Sequence, residues 1–232
     1  PSRYRQIDKF AKKYNLFVLE DAAQGFGGSI RGQKSGSFGD AATTSFFPAK
    51  PLGCYGDGGA IFTNDEKLSD IMQSIRVHGS GSDKYDNIRL GINGRLDTIQ
   101  AAILLEKFSI FTEEVKERNK VALYYKENLP KNLQKPLIPD GYYSSWAQYS
   151  ILAESKQARN DIILFLKSKG IPSMIYYRIP LHLQRVFVDL NYIKGDFPIS
   201  EKISDRIFSL PMHPYLERSH QDKVLEALNE AA

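Results

Sequence analysis

Cysteine occurs once in the 232 residues, at Cys54, so no disulfide can close within the chain and no paired CxxC motifs are present to hold zinc. A reducing, cytoplasmic setting is the expectation. Long apolar runs are also missing. The longest, LFVL at 16–19 and IILFL at 162–166, fall well short of the roughly eighteen residues that a membrane span requires, and the opening residues are polar helix material, unlike a signal peptide. No membrane partner is expected. Histidine is scarce, and His78, His182, His213 and His220 lack the spacing of a helical ligand pair, so no metal is expected. The net charge of +4 arises from 31 basic and 27 acidic side chains scattered along the chain, without the basic stripe that a phosphate backbone selects. Nucleic acid is therefore not an expected partner. There is no internal repeat or low-complexity tract.

What is present is an α/β rhythm. Ile7, Phe10, Ala11 and Tyr14 share one helix face, and Leu16 to Leu19 after them reads as a buried strand ending in Glu20 and Asp21. TTSFF (43–47) and GAIFT (59–63) read as further strands. Thr63 and Glu66 have capping-box spacing and open a helix whose face is Leu68, Ile71, Met72 and Ile75. The stretch 79–94, rich in Gly, Ser, Asp and Asn, is a candidate binding loop. Residues 96–111 are apolar almost all round, as for a helix buried in a core, and 112–129 are amphipathic. A domain change is placed near 112–116, giving 1–114 and 115–232. The second part is expected to be α+β, with a strand around Trp146 to Leu152, a helix carrying Ala158, Ile162, Phe165 and Leu166, a short strand from Ser173 to Tyr177, and a helix from about Ser200 to Phe208.

Lys50 is the residue that asks for explanation. A lysine in a turn is ordinarily a solvated charge. This one follows a buried-looking strand, stands between Pro48 and Pro51, and precedes Gly53, Gly56, Gly58 and Gly59. Prolines restrict the backbone and glycines permit close approach, so the lysine is positioned, and an amine held near apolar walls is a nucleophile toward carbonyls. Asp21 read alone is a cap or a surface acid. Beside a positioned lysine it completes the pair that a pyridoxal cofactor requires, an amine for covalent attachment and a carboxylate for the ring nitrogen. The Gly53–Gly59 spacing fits neither a Walker nor a dinucleotide fingerprint. His182 follows Tyr176, Tyr177 and Arg178, a cluster that reads as a pocket wall, and Cys54 reads as a small buried hydrophobe.

Six segments carry a family resemblance along essentially the whole chain: EDAAQ (20–24), GSFGD (36–40), SFFPAK (45–50), GDGGAIFTND (56–65), RVHG (76–79) and GINGRLDTIQAAIL (91–104). Together they resemble the DegT/DnrJ/EryC1/StrS sugar aminotransferases. The resemblance implies a fold-type I pyridoxal-phosphate-dependent transferase, similar to aspartate aminotransferase, with residues 1–114 as the later part of the cofactor-binding large domain and 115–232 as the small α+β domain. By it, Lys50 holds pyridoxal 5'-phosphate covalently, Asp21 pairs with the pyridine nitrogen, Gln24 lies near the phenolic oxygen, Ser45 bonds the phosphate, and Asn93 reaches the phosphate of the neighbouring subunit in a homodimer with shared sites.

A lysine at position 50 separates this chain from the family's dehydratase branch, which has histidine there. The implied reaction moves an amino group from glutamate to a keto nucleotide-sugar. The wording around Gly53–Asp65 and Gly91–Leu104 is especially similar to the branch that aminates the 3-keto form of UDP-N-acetylglucosaminuronic acid for surface polysaccharide such as lipopolysaccharide O-antigen. Arg95 is then a candidate partner for the sugar carboxylate, and Tyr177 and His182 are candidate substrate contacts. A 4-keto-6-deoxy nucleotide-sugar aminotransferase and a non-catalytic, cofactor-binding regulator are the alternatives. Relatives carry, before the region matching Pro1, about the first third of their chain, with the cup for the cofactor phosphate and the aromatic that stacks on its ring, so the sequence reads as a fragment. Arg178 stands where relatives usually have proline.

Overall fold

The computed structural model describes residues 4–83 and 85–231. Two compact units form: one holds the chain up to Val115 together with Ile138–Ala147, the other Lys116–Leu137 together with Gln148 onward.

In the first unit, helix α1 (Tyr4–Tyr14) leads into strand β1 (Leu19–Asp21). A short antiparallel pair, β2 (Ser29–Ile30) and β3 (Gln33–Lys34), comes before strands β4 (Ala41–Ser45) and β5 (Gly59–Thr63). β1 pairs parallel with β4, and β5 pairs antiparallel with β4 on its other side, in the order β1-β4-β5. β1 starts three residues later than the apolar run suggests. Val18 is the pivot: its N–H donates to the Asp40 carboxylate at 2.7 Å and its carbonyl accepts from the Asp40 N–H at 2.9 Å, so ladder pairing begins only beyond it. The run is not a buried strand within this chain either, since Leu16, Phe17 and Leu19 are 52%, 64% and 60% exposed and the deeply buried residue of β1 is Glu20.

Helix α2 (Glu66–Arg76) is capped by Asp65, whose carboxylate accepts the Leu68 N–H at 3.0 Å, and not by Thr63. Thr63 is still the last residue of β5, and its hydroxyl is committed to the Asp40 carbonyl at 2.8 Å. The base of the glycine-rich stretch after α2 is tied by backbone hydrogen bonds. The His78 N–H bonds the Ile92 carbonyl at 3.0 Å, the Ile92 N–H bonds that of Ile75 at 2.8 Å, and Val77 bridges Asn93. The crossing at the loop's base is so close that a Cβ on Gly79, whose φ is +77°, would lie 1.8 Å from the Arg89 carbonyl oxygen.

Helix α3 (Thr98–Asn128) runs unbroken for 31 residues from the first unit into the second. Its first half packs on one side only: Leu104, Phe111 and Val115 join Leu52 and Cys54 in a core bordered by Phe26, Phe46 and Leu96. Ile99, Leu105 and Phe108 are 75%, 72% and 59% exposed, so the helix is not buried all round within this chain. Strand β6 (Tyr142–Tyr143) returns to pair with β2 in the first unit.

The second unit is built on an antiparallel pair, β7 (Tyr149–Leu152) and β8 (Ile207–Leu210), with helices α4 (Lys156–Ser168), α5 (Pro198–Arg206) and α6 (Arg218–Ala231). Ser155 caps α4 by accepting the Ala158 N–H at 3.0 Å. Ile151, Leu166, Phe208 and Leu228 are fully buried. The expected strand at 173–177 is reduced to one bridge, Met174 to Ser209, and α5 ends at Arg206 because Ile207 onward joins β7. Among the described residues no helix is long and apolar enough to cross a membrane.

Gly79→Ala should lower stability by at least ~1–3 kcal/mol from the left-handed backbone alone, with the Arg89 carbonyl adding to it. Urea unfolding of the variant measures this, and an unchanged midpoint would contradict the packing described for the loop base.

Candidate functional site

β4 ends at Ser45, and the chain then makes a closed turn before β5. The turn is tied at its neck: the Phe46 N–H donates to the Gly58 carbonyl at 2.8 Å and the Cys54 N–H to the Phe46 carbonyl at 2.7 Å. Beneath it lie Leu52 and Cys54, 4% and 1% exposed, with the Cys54 thiol donating to backbone carbonyls. That is the environment of a small core residue. A Cβ on Gly53 would come within 2.7 Å of the Phe47 and Pro48 carbonyl oxygens, so only glycine lets the turn fold so tightly on itself. Lys50 sits half-buried in this turn, its N–H bonded to the Phe47 carbonyl at 2.8 Å, and it forms no ion pair among the described residues.

The β1–β4 register decides what shares that neighbourhood. Asp21 lies opposite Thr43. Side chains alternate along a strand, so Asp21, Thr43 and Ser45 project from one face of the sheet. Asp21 is exposed and accepts the Ala23 N–H through Oδ1 at 3.0 Å; Ser45 Oγ accepts the Phe47 N–H at 3.2 Å. Gln24 is exposed just beyond β1, its carbonyl accepting from the Ser145 hydroxyl at 3.4 Å. Four candidate residues, Asp21, Gln24, Ser45 and Lys50, thus gather at the carboxyl ends of β1 and β4, where ligands bind in open α/β sheets.

Asn93 and Arg95 stand apart from that group, exposed on the segment between α2 and α3, with the Arg95 Nε donating to Asn93 Oδ1 at 3.0 Å. They connect to the lysine turn through their neighbours: a Cβ on Gly58 would touch Leu96 at 2.8 Å, and the Tyr55 N–H bonds Gln100 Oε1 at 2.8 Å. A cavity of about 950 Å³ between the β4–β5 pair and α2 contains none of the candidate residues.

Tyr177 and His182 belong to the second unit, where they line a cavity of about 570 Å³ with Tyr176, Leu181, Phe197 and Ile203. Tyr177 is 63% exposed. His182 is turned inward: Nε2 lies 3.0 Å from Glu201 Oε1, its ring is 4.7 Å from that of Phe197, and its side chain is 8% exposed. Glu201 Oε1 also accepts the N–H groups of Gly195 at 2.8 Å and Phe197 at 3.4 Å. The Gly195 bond above all, with those from His182 and Phe197, holds the Glu201 carboxyl below the usual range against the opposing effect of burial. No sequence periodicity links positions 182 and 201, and Glu201 could not have been found from spacing. Glu20 could have been: alternation along β1 sends it to the opposite face from Asp21.

The chain matches the DegT/DnrJ/EryC1/StrS aminotransferase family over residues 1–229, and it belongs to that family. It is 44% identical over 223 residues to the UDP-2-acetamido-2-deoxy-3-oxo-D-glucuronate aminotransferase of Pseudomonas aeruginosa, covering 96% of this chain and 60% of that protein. The crystal structure of a DegT DnrJ EryC1 StrS aminotransferase from Brucella abortus superposes with a TM-score of 0.93 at 47% identity, covering 99% of this chain and 61% of that one. NtdA from Bacillus subtilis with bound cofactor PMP superposes at 0.86 and 28% identity, covering all of this chain and 54% of its own. The fold is that of the fold-type I pyridoxal-phosphate enzymes. The chain spans about 60% of the length of the relatives it matches.

Because Glu201 has a depressed carboxyl pKa, its contribution to local order is present above the unfolded value near 4.5 and is lost as pH falls through the lower folded value. Amide protection factors at Gly195 and Phe197 should therefore fall as the pH drops below 4.5 and through the lower folded value, and Glu201→Ala should show low protection throughout. Equal protection in both proteins across the range would contradict the clamp.

Proposed function

We propose that the protein carrying this chain is a pyridoxal-phosphate-dependent aminotransferase acting on a keto nucleotide-sugar. The observation that carries the reading is the half-buried Lys50 in its glycine-closed turn, at the same sheet end as Asp21 and Ser45. The donor set fits the cofactor: an amine without an ion-pair partner for its carbonyl, a carboxylate for its ring nitrogen, and a hydroxyl for its phosphate. Gln24 supplies an amide near the ring. The Bacillus subtilis NtdA structure, which has PMP bound, the aminated form of the same cofactor, supports this choice.

When bound, the cofactor supplies an electron sink for the bonds of the amino carbon attached to it. The chain supplies the rest. Lys50 Nζ would hold the cofactor, and its amine, when not so engaged, would serve as the base that moves a proton from the donor's α-carbon. Asp21, held by the Ala23 N–H, would offer its carboxylate to the ring nitrogen. Glutamate is the proposed donor, and the enzyme is proposed to work in the cytoplasm. Asn93, on the exposed segment before α3, is assigned to the phosphate of a second subunit's site, which makes the working form a homodimer.

Similarity to the Pseudomonas aeruginosa UDP-2-acetamido-2-deoxy-3-oxo-D-glucuronate aminotransferase favours the 3-keto form of UDP-N-acetylglucosaminuronic acid as acceptor, and the aminated sugar is proposed to serve surface polysaccharide. Arg95 is the proposed partner for the uronate carboxylate, which a guanidinium binds through two hydrogen bonds. Tyr177 and His182, which line a cavity of the second unit, are proposed as substrate contacts.

Purified protein with pyridoxal phosphate should show a visible band that bleaches on adding glutamate, and Lys50→Ala should lack that response. A band that persists unchanged with glutamate would mark a non-catalytic binder and contradict the reading. Arg95→Ala should lower kcat/KM for the uronic keto sugar roughly tenfold or more, as loss of a charged hydrogen-bond pair does, while a neutral 4-keto-6-deoxy sugar is unaffected. An unchanged ratio of the two would reject the carboxylate assignment.

A further inference from the structure

Glu20 is 1% exposed, and acidic side chains are almost never buried to that degree without compensation. It forms no ion pair among the described residues. Three donors meet it instead. Ser35 Oγ donates to Oε1 at 2.8 Å, and the N–H groups of Gly36 and Phe38 both donate to Oε2 at 2.9 Å. A leucine of similar size would fill the space and strand two buried N–H groups, so the carboxylate is there for its acceptors.

What those bonds hold is the relation between two strands. Residues 35–40 lie alongside 18–20 and lead directly into β4. Glu20 grips Ser35, Gly36 and Phe38. Gly39 is pressed onto Val18 so closely that a Cβ would lie 2.5 Å from the Val18 carbonyl oxygen, and Asp40 bonds Val18 through both its carboxylate and its N–H. The lacing leaves β4 one register against β1, with Asp21 opposite Thr43. A slip of one residue would turn Ser45 to the other face and change the approach of the Lys50 turn to Asp21.

We propose that Glu20 is the positioning residue of the cofactor site, fixing through Ser35, Gly36 and Phe38 the register that places Asp21 beside the strand leading to Lys50. The inference rests on the cofactor reading above. Its effect is on how well the site holds and polarises the cofactor, which separates it from a general contribution to folding.

Two variants test it, Glu20→Gln, which loses one of the two accepting oxygens, and Ser35→Ala, which removes one donor and leaves the backbone bonds. For each, circular dichroism sets the temperature at which the protein is fully folded. At that temperature the dissociation constant for pyridoxal phosphate and the pH midpoint of its bound visible band are measured. Glu20→Gln should raise the dissociation constant at least tenfold and displace the midpoint, and Ser35→Ala should do both to a smaller extent. A folded Glu20→Gln protein with wild-type affinity and midpoint, whatever its melting temperature, overturns the proposal. Should Glu20→Gln fail to fold, wild-type values in Ser35→Ala overturn it equally. A wild-type protein that binds no cofactor overturns the function reading, and this inference with it, whereas wild-type binding with unaffected variants sinks this inference alone.

Discussion

Parallel pairing between two short strands governs most of what this chain can do. β1 contributes three residues and β4 five, yet their register decides that Asp21 and Ser45 emerge on one face and that the turn bearing Lys50 starts at the same end of the sheet. Three ladder pairs are a slender basis for such an alignment. The lacing of residues 35–40 to 18–20 adds the hydrogen bonds that the ladder lacks, all of them anchored in backbone groups or in a buried carboxylate. Rigid placement of this kind is what a site needs when its groups must act in concert on one small molecule.

The lysine turn shows how packing and chemistry share residues. Leu52 and Cys54 bury the turn's underside in the same core as Leu104, Phe111 and Val115, so helix α3 also supports the turn that carries Lys50. Gly53 is a place where no side chain fits, because a Cβ would meet the Phe47 and Pro48 carbonyl oxygens, and together with the prolines on either side of Lys50 it fixes the backbone without using polar groups. In the second unit, Glu201 does comparable work with a carboxylate, gathering Gly195, Phe197 and His182 around one oxygen at a cavity wall.

Much of this was legible in the sequence. The helix at 4–14 and the strand at 59–63 followed from periodicity, the strand expected at 43–47 forms two residues earlier as β4, Asp21 and Lys50 stood out as an acid and an amine at strand ends, and Ser45 came only from the family resemblance. Other elements failed for identifiable reasons. LFVL reads as buried because it is apolar, but burial depends on what covers a face, and within this chain Leu16, Phe17 and Leu19 are open. The same holds for Ile99, Leu105 and Phe108 on α3. Thr63 and Asp65 both fit a cap by local rules, and the choice was made by the β5 ladder, which keeps Thr63 extended. α6 was missed although Val224, Leu225, Ala227 and Leu228 carry helical spacing and are buried. The partnership of His182 with Glu201 has no local signature at all, since it spans 19 positions across an irregular segment.

The central claim is that one lysine, of the many on the surface, is the point of attachment. Borohydride reduction of the protein with pyridoxal phosphate, followed by intact mass and peptide mapping, tests this most directly. The account predicts a single cofactor-sized increase located on the peptide containing Lys50. An adduct distributed over other lysines, or none on that peptide, would contradict it.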